Sequence, residues 1–408
     1  MTQTADFLPV LLGSDMNVYG MARSFHEAYG IQSVAIGKGH LPATAHSRIV
    51  TVACAEPAIE EDDVFCRTLI DFTGRYPGRT LLLVPCGDNY IKLLVRNQDK
   101  LRDYYRFACI NEALLLRLSL KESFYEVCTE HGFAFPKTAT CSPEDYQHIK
   151  LPFDFPVIIK PSNSVAYWNC HFPHKKKVFV AENQAEFDAI LNAIYHSSYQ
   201  DTLILQEFIP GDDSNMRVMN CFSGKDQKVR LISLGHALLE EHSPEGIGSY
   251  AAIISSYDEE LAGRMKNFLE SIGYIGFANF DMKYDPRDGQ YKLFEMNLRQ
   301  GRSSYYVTAA GYNLAEYLVN DVLYNRDMPL TVADHRVLWS IIPKDIIFRY
   351  VSDESLKQEA RELIKAGKFI RSMDYKPDLS FRRRLAFHLN QMNYRKKYRE
   401  SFGNKGLH

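Results

Sequence analysis

The chain has 408 residues, a formal net charge of −2, 46% hydrophobic residues and 24% charged ones, the make-up of an ordinary soluble protein. At roughly 100–200 residues per domain, two to four domains are expected, with no nucleic-acid partner. The eight cysteines have no C-x-x-C spacing, which argues against a zinc ribbon or redox pair and for buried, reduced thiols. The start "MTQTADFLPVLLGSD" lacks a basic, apolar leader, and no run approaches the ~18 apolar residues of a membrane span, so a cytoplasmic protein is expected.

In chain order, "LPVLLG" (8–13) reads as a buried strand, "NVYGMARSFHEAYG" (17–30) as a helix closed by Gly30, and "IQSVAIG" (31–37) as the next strand. This strand–helix–strand order predicts a parallel α/β unit, and "TLLLVPCGDNY" (80–90) repeats a strand ending in a polar loop. The loop "GSDMN" is not G-x-G-x-x-G, so a dinucleotide fingerprint is absent. A helix is expected over 111–131. Residues 151–210 then read as a small α+β module, with apolar strands "FPVIIKP" and "TLILQEFIP" around a polar loop, the strand "KKVFVA" and a helix. From 228 strands dominate, and "NLAEYLVNDVLY" (313–324) is a helix. Residues 381–405 carry eight Lys or Arg against Glu400, with Phe381, Leu385, Leu389 and Met392 at helical spacing. Two readings stand: an amphipathic helix packed on the body with a solvated basic face, or a surface for an anionic substrate or membrane head groups.

The most informative stretch is "FANFDMKYDPRDGQYKLFEMNLRQGRSS". Asp285-Pro286-Arg287-Asp288-Gly289 is turn chemistry, so its flanks should form an antiparallel hairpin. If Asp285 pairs with Tyr291, Asp281 lies opposite Glu295, with Asn297 and Arg299 on the same face and Phe294, Met296 and Leu298 on the other. Two adjacent carboxylates repel unless a cation separates them. Either Mg²⁺ sits there with oxygen ligands, or Lys283 and Arg299 complete a salt-bridge ladder. Upstream, Lys160 ends an apolar strand, where it either projects into a cleft or snorkels to water. "LILQEFIPGDD" has the form of a hinge, and equally of a plain strand and turn.

Taken together, these elements resemble the ATP-grasp superfamily over about residues 110–325: Lys121 before "HGFAFP", Lys160 in "IIKP", the "QEFIPG" hinge, Asp281, and the Glu295-x-Asn297-x-Arg299 strand. The resemblance implies α/β and α+β architecture. Residues 1–110 would be a Rossmann-like pre-ATP-grasp domain, 111–210 a helix and central or lid subdomain, 211–330 the metal-bearing subdomain, and 331–408 a basic helical extension. It also implies ATP and Mg²⁺. Lys121 and Lys160 would meet the phosphates, Gln206, Glu207, Phe208 and Ile209 the adenine, and Asp213 or Asp212 the ribose. Asp281, Glu295 and Asn297 would hold Mg²⁺, and Arg299 the transferred phosphoryl group. One departure is the phosphate-covering loop, often glycine-rich in the family. Residues 161–210 contain no glycine here, so Ser162, Asn163 and Ser164 would take that role. Within the superfamily, the hairpin and the start "PVLLGSDMNVYGMARSFHEAYG" are similar to bacterial D-aspartate ligases, which join the β-carboxylate of D-aspartate to a lysine side chain of a UDP-MurNAc-pentapeptide peptidoglycan precursor. A dicarboxylic amino acid needs cationic recognition. Arg302 is the nearest candidate, also placed at the catalytic centre, with Ser303 and Ser304 beside it; Arg217 and His236 are further candidates. Another ATP-grasp amino-acid ligase keeps the same ATP residues, and a non-catalytic nucleotide-binding module is the remaining alternative.

Overall fold

Three sheets organise the chain in the computed structural model, which describes residues 6–176, 178–243 and 246–402, the side chains of Ser164, Val165 and Trp168 excepted. The last residues of the basic 381–405 stretch, Lys405 among them, and the Ser164 side chain lie outside that description. The first sheet contains β1 (Phe7–Leu12), β2 (Ser33–Gly37), β3 (Val50–Ala55) and β4 (Thr80–Pro85), all parallel, in the order β3-β2-β1-β4. Every residue of β1 is buried, as a parallel strand covered on both faces requires. The helix Met16–Tyr29 begins where the Asp15 carboxylate accepts from the N–H groups of Asn17 and Val18, and it ends at Gly30 with φ 66°.

The helix expected over 111–131 is two helices, Glu112–Ser119 and Lys121–Glu130, separated by an extended Leu120. The apolar phase explains the break. Leu115 and Leu118 face the core, but an unbroken helix would next turn the exposed Glu122 inward. The break instead buries Phe124, Tyr125, Val127 and Cys128, and it places Lys121 at the start of the second helix.

The second sheet, β5 (Thr138–Cys141), β6 (Val157–Pro161), β7 (Phe179–Ala181) and β8 (Leu203–Glu207), is antiparallel in the order β5-β8-β6-β7. The third sheet has eight strands. Its main path runs β13-β12-β9-β10-β11-β15-β16, formed by β9 (Met216–Ser223), β10 (Val229–Glu240), β11 (Tyr250–Ser256), β12 (Gly276–Asp285), β13 (Gln290–Asn297), β15 (Leu338–Ser340) and β16 (Phe369–Arg371); β14 (Thr331–Val332) joins β10. The segment set apart from residue 331 therefore begins with strands of this same sheet.

The hairpin β12–β13 forms with Asp281 opposite Glu295, but by a different register from the expected one. Asp285 pairs with Gln290 rather than Tyr291, and a bulge at Phe294 recovers the missing residue before Glu295. Leu293 and Met296, three apart, are both buried in one core cluster, while Phe294 turns to the cavity described below rather than away from it.

The C-terminal helix, Phe381–Ser401, also departs from expectation. Its body-facing residues are Arg383, Gln391 and Tyr398. The apolar series expected to pack, Phe381, Leu385, Leu389 and Met392, faces solvent. Polar anchors explain the choice. Arg383 pairs with the buried Asp378 at 3.0 Å, and Gln391 donates to the Ile341 carbonyl at 2.9 Å. Once made, these bonds fix which face is inside, since a buried half of either pair left alone is costly.

Candidate active site

A cavity of about 500 Å³ opens between the second and third sheets, with Asp88, at the start of the helix after β4, also in its lining. Its lining includes Lys121, Lys160, Gln206, Glu207, Phe208, Ile209, Asp212, Asp213, Asp281, Glu295, Asn297, Arg299, Arg302 and Ser303. Residues scattered over 180 positions of the sequence thus line one cavity.

The centre is the cross-strand pair Asp281 and Glu295. Asp281 Oδ1 accepts from the Tyr250 hydroxyl at 2.9 Å, and its Oδ2 accepts from Asn297 Nδ2 at 3.1 Å. Burial first, and the Glu295 charge second, push the Asp281 carboxyl up to about 7. Burial also raises Glu295, but Lys121, Lys160 and Arg299 outweigh it, and its carboxyl ends below the usual range. Lys121 Nζ stands 3.8 Å from Glu295 Oε2. Lys160 Nζ donates to Gln206 Oε1 at 3.0 Å, so it points into the cavity rather than out to water. The Gln206 amide then donates to the Tyr125 hydroxyl (2.8 Å) and Thr138 Oγ1 (3.0 Å), which fixes its orientation.

Arg299 lines the cavity beside Asp88. Its Nη2 donates to Asp88 Oδ2 at 2.7 Å, and its buried Nε has no hydrogen-bond acceptor among the described residues. A buried guanidinium N–H without a partner fits an anion that arrives with substrate. Among the described residues no three His, Cys, Asp or Glu side chains gather as a metal cluster. Two carboxylates and the Asn297 amide suit a hard cation that completes its shell with phosphate oxygens and water, so the donor set fits Mg²⁺. The alternative ladder does not form as drawn: Lys283 Nζ donates to the Gly211 carbonyl at 2.7 Å, away from the carboxylate pair.

At the hinge, the N–H groups of Glu207 and Phe208 already donate to the Lys137 and Pro156 carbonyls. Gly211 follows with φ 106°, and a Cβ there would fall 2.3 Å from the Asn215 side chain, so only glycine makes this turn. The Asp213 carboxylate accepts from the Glu240 N–H (2.8 Å) and contacts His242 Nε2 (2.9 Å) at the cavity wall. Arg302 is ion-paired with Glu241 at 2.5 Å and donates to the Tyr250 carbonyl.

Five residues singled out from the sequence, Ser162, Asn163, Arg217, His236 and Ser304, do not line the cavity. Ser162 Oγ donates to the Thr202 carbonyl at 2.7 Å, and the short helix Ser164–Asn169, capped by Asn163, follows it where a glycine-rich loop was the comparison. Ser304 Oγ accepts from the Gly301 N–H and donates to Asn220, bracing the turn from inside. Arg217 and His236 face each other across β9 and β10, and both bond the Ser214 carbonyl. Burial first, then the Arg217 charge, hold the His236 imidazole down to about 4.

Sequence reasoning missed Asp88, Glu241 and Tyr250. Asp88 carried a signal, because it opens the helix that follows the carboxyl end of a parallel strand, where α/β sheets place their ligand sites. Nothing local marks Tyr250, which meets Asp281 only through the pairing of four strands.

An antiparallel lid sheet over a larger sheet, two lysines facing a carboxylate hairpin, and a preceding parallel domain together define the ATP-grasp class of ligases. The folds of solved structures agree. An L-amino acid ligase from Bacillus licheniformis superposes with a TM-score of 0.53 at 15% identity, covering 78% of this chain and 75% of that one. The biotin carboxylase domain of the Hydrogenobacter thermophilus 2-oxoglutarate carboxylase, solved with MgADP, gives 0.56 at 14% identity, covering 81% and 73%. No family model matches the chain. A D-aspartate ligase from Enterococcus faecium (strain Aus0004) is 43% identical over 412 residues, 98% of each chain. The chain therefore belongs to the D-aspartate ligase family of ATP-dependent carboxylate–amine ligases.

Proposed function

We propose that this ligase activates the β-carboxylate of D-aspartate with ATP and joins it to the lysine side-chain amine of a UDP-MurNAc-pentapeptide precursor, in the cytoplasm. The reading rests on one arrangement: the Asp281–Glu295 pair, with Lys121 3.8 Å from Glu295, lines the same cavity as Lys160 and Arg302.

The chemistry needs activation, because a carboxylate does not accept an amine at neutral pH. A β-carboxylate oxygen attacks the γ-phosphorus, the bond to the β-phosphate bridging oxygen breaks, and ADP leaves with that electron pair. The resulting acyl phosphate is attacked at carbon by the neutral amine. The carbon–oxygen bond breaks, phosphate departs, and the nitrogen loses one proton as the amide forms. Lys121 and Lys160 neutralise the phosphates, and Arg299 supplies guanidinium donors to the migrating phosphoryl group. Asp281, Glu295 and Asn297 would hold Mg²⁺, which when bound would supply positive charge to the phosphate oxygens. With the Glu207 and Phe208 N–H groups already bonded, the Ile209 end of the hinge reads the adenine edge. Asp213 takes the ribose. Arg302, shared with Glu241, and Ser303 receive the amino acid's carboxylate.

The test is ADP release with Mg²⁺-ATP, a panel of D- and L-amino acids, and a lysine-containing stem peptide. Release that requires D-aspartate is expected. Release with a different acid keeps the ATP assignments and replaces the substrate, while none with any acid refutes the ligase reading. Glu295→Gln is expected to lower turnover about 100-fold or more by removing a charged ligand.

A further inference from the structure

The C-terminal helix presents the reverse of an ordinary surface helix. Its packed face is polar or amphipathic: Arg383, Gln391 and Tyr398. Its outer face carries Phe381, Leu385, Leu389 and Met392, with exposures of 83%, 52%, 55% and 53%. At roughly 100° per residue, these four fall within about 80° of one another, nearly opposite the packed face. A surface helix normally buries such a stripe, and an exposed one marks a contact surface.

The charges around the stripe identify the contact. Arg382 and Arg384 flank it on either side, and Lys396, 4.0 Å from the exposed Glu400, and Arg399 continue its line toward the C-terminus. The two other arginines have defined partners: Arg383 is held by Asp378, and Arg395 by Asp345 at 2.8 Å. The outer face is therefore an apolar stripe in a cationic frame. A second copy of this helix would bring like charges together in either orientation, Arg382 and Arg384 against Lys396 and Arg399 when antiparallel. A soluble anionic substrate has no use for four exposed apolar side chains. A surface both anionic and apolar beneath satisfies all of them.

We propose that this face docks on an anionic phospholipid bilayer. The helix lies in the interfacial plane, its four apolar side chains below the head groups and the flanking cations at phosphate level. Among the described residues no helix is long and apolar enough to cross a membrane, so the contact is peripheral. The same helix then reaches the cavity wall, where Tyr398 donates to the Glu240 carbonyl and the Phe402 ring lies 4.5 Å from that of His242. Docking would hold the cavity near the membrane surface.

Flotation of the full-length protein with phosphatidylcholine vesicles, with and without phosphatidylglycerol, tests this at low and high salt. Binding is expected with the anionic vesicles, weakened by salt, and lowered about tenfold in Leu385→Gln/Leu389→Gln/Met392→Gln and in Arg382→Glu/Arg384→Glu. Every substituted side chain is exposed, so the melting temperature and ADP release with soluble substrates should stay as in the wild type. Failure of the wild type to bind anionic vesicles, or unaltered binding in both variants, overturns the proposal. So does a concentration-dependent dimer that the triple variant abolishes, which assigns the face to a second copy. A raised KM for the soluble peptide acceptor with vesicle binding intact also overturns it, and assigns the cations to substrate.

Discussion

Arg299 and Asp88 form a 2.7 Å ion pair that joins the chain just beyond the β12–β13 hairpin to the first turn of the helix Asp88–Arg96, which follows β4 of the N-terminal sheet. The same guanidinium is assigned to the migrating phosphoryl group, so Asp88 competes with the nucleotide for it. The pair is partly exposed and worth little alone. Asp88→Asn should therefore lower the KM for ATP about two- to fivefold while leaving kcat near the wild-type value. Steady-state ADP release measures both. An unchanged or raised KM would show that Asp88 supports Arg299 instead of competing for it.

The Asp281 carboxyl gives the site a pH signature. Its pKa stands at about 7 before any cation binds, because burial and Glu295 disfavour its charge. A metal needs the ionised form, so binding below pH 7 must displace a proton. The affinity for Mg²⁺-nucleotide should rise as pH climbs through about 7 and flatten above it. Asp281→Asn should bind weakly and lose that part of the slope. The ligand's own titration is common to both proteins, so the difference between two calorimetric pH series isolates Asp281.

Much of this site was legible because its chemistry is strung along one hairpin and two strand ends. Alternation put Glu295, Asn297 and Arg299 on one face, and the turn residues marked the hairpin, although Asp281 comes opposite Glu295 only through a bulge. The bulge at Phe294 was not legible, since one inserted residue leaves no mark in composition; only the burial of both Leu293 and Met296 reveals it. The break at Leu120 was written in the phase slip between Leu118 and Glu122, although no proline or glycine announces it. The outward turn of the C-terminal helix was hidden for a different reason. Hydrophobic periodicity says which residues share a face. It does not say which face wins when a buried Asp378 waits for Arg383.

Tyr398 tests whether that helix is part of the body. Its ring is buried and its hydroxyl donates to the Glu240 carbonyl, beside Glu241 and the cavity wall. Tyr398→Ala should cost about 3 kcal/mol of stability by leaving a cavity and an unpaired carbonyl. Chemical denaturation reads this directly. A loss under ~0.5 kcal/mol would mean that the helix is only loosely attached. For the same reason a truncation ahead of Asp378 would remove fold along with tail, and exposed-face substitutions are the cleaner probe of the tail's role.

His236 separates a structural from a recognition role by pH. Its imidazole is held down to about 4 by burial and by Arg217, and its Nε2 bonds the Ser214 carbonyl. The neutral ring donates that proton without carrying charge, so at pH 7 it offers no cation to a substrate carboxylate. The sign of the linkage follows. Above pH 6.5 the ring is neutral in both folded and unfolded chains, and its contribution is fully present. As pH falls from 6.5 toward 4, the unfolded chain takes up a proton that the folded chain refuses, and stability drops by on the order of 2–3 kcal/mol. His236→Gln keeps an amide donor for Ser214 and cannot titrate. It should flatten that part of the stability curve while leaving the KM for the amino acid unchanged. A KM raised several-fold by this variant at pH 7.5, with the acid-side stability loss still in place, would reverse the assignment and return His236 to the substrate.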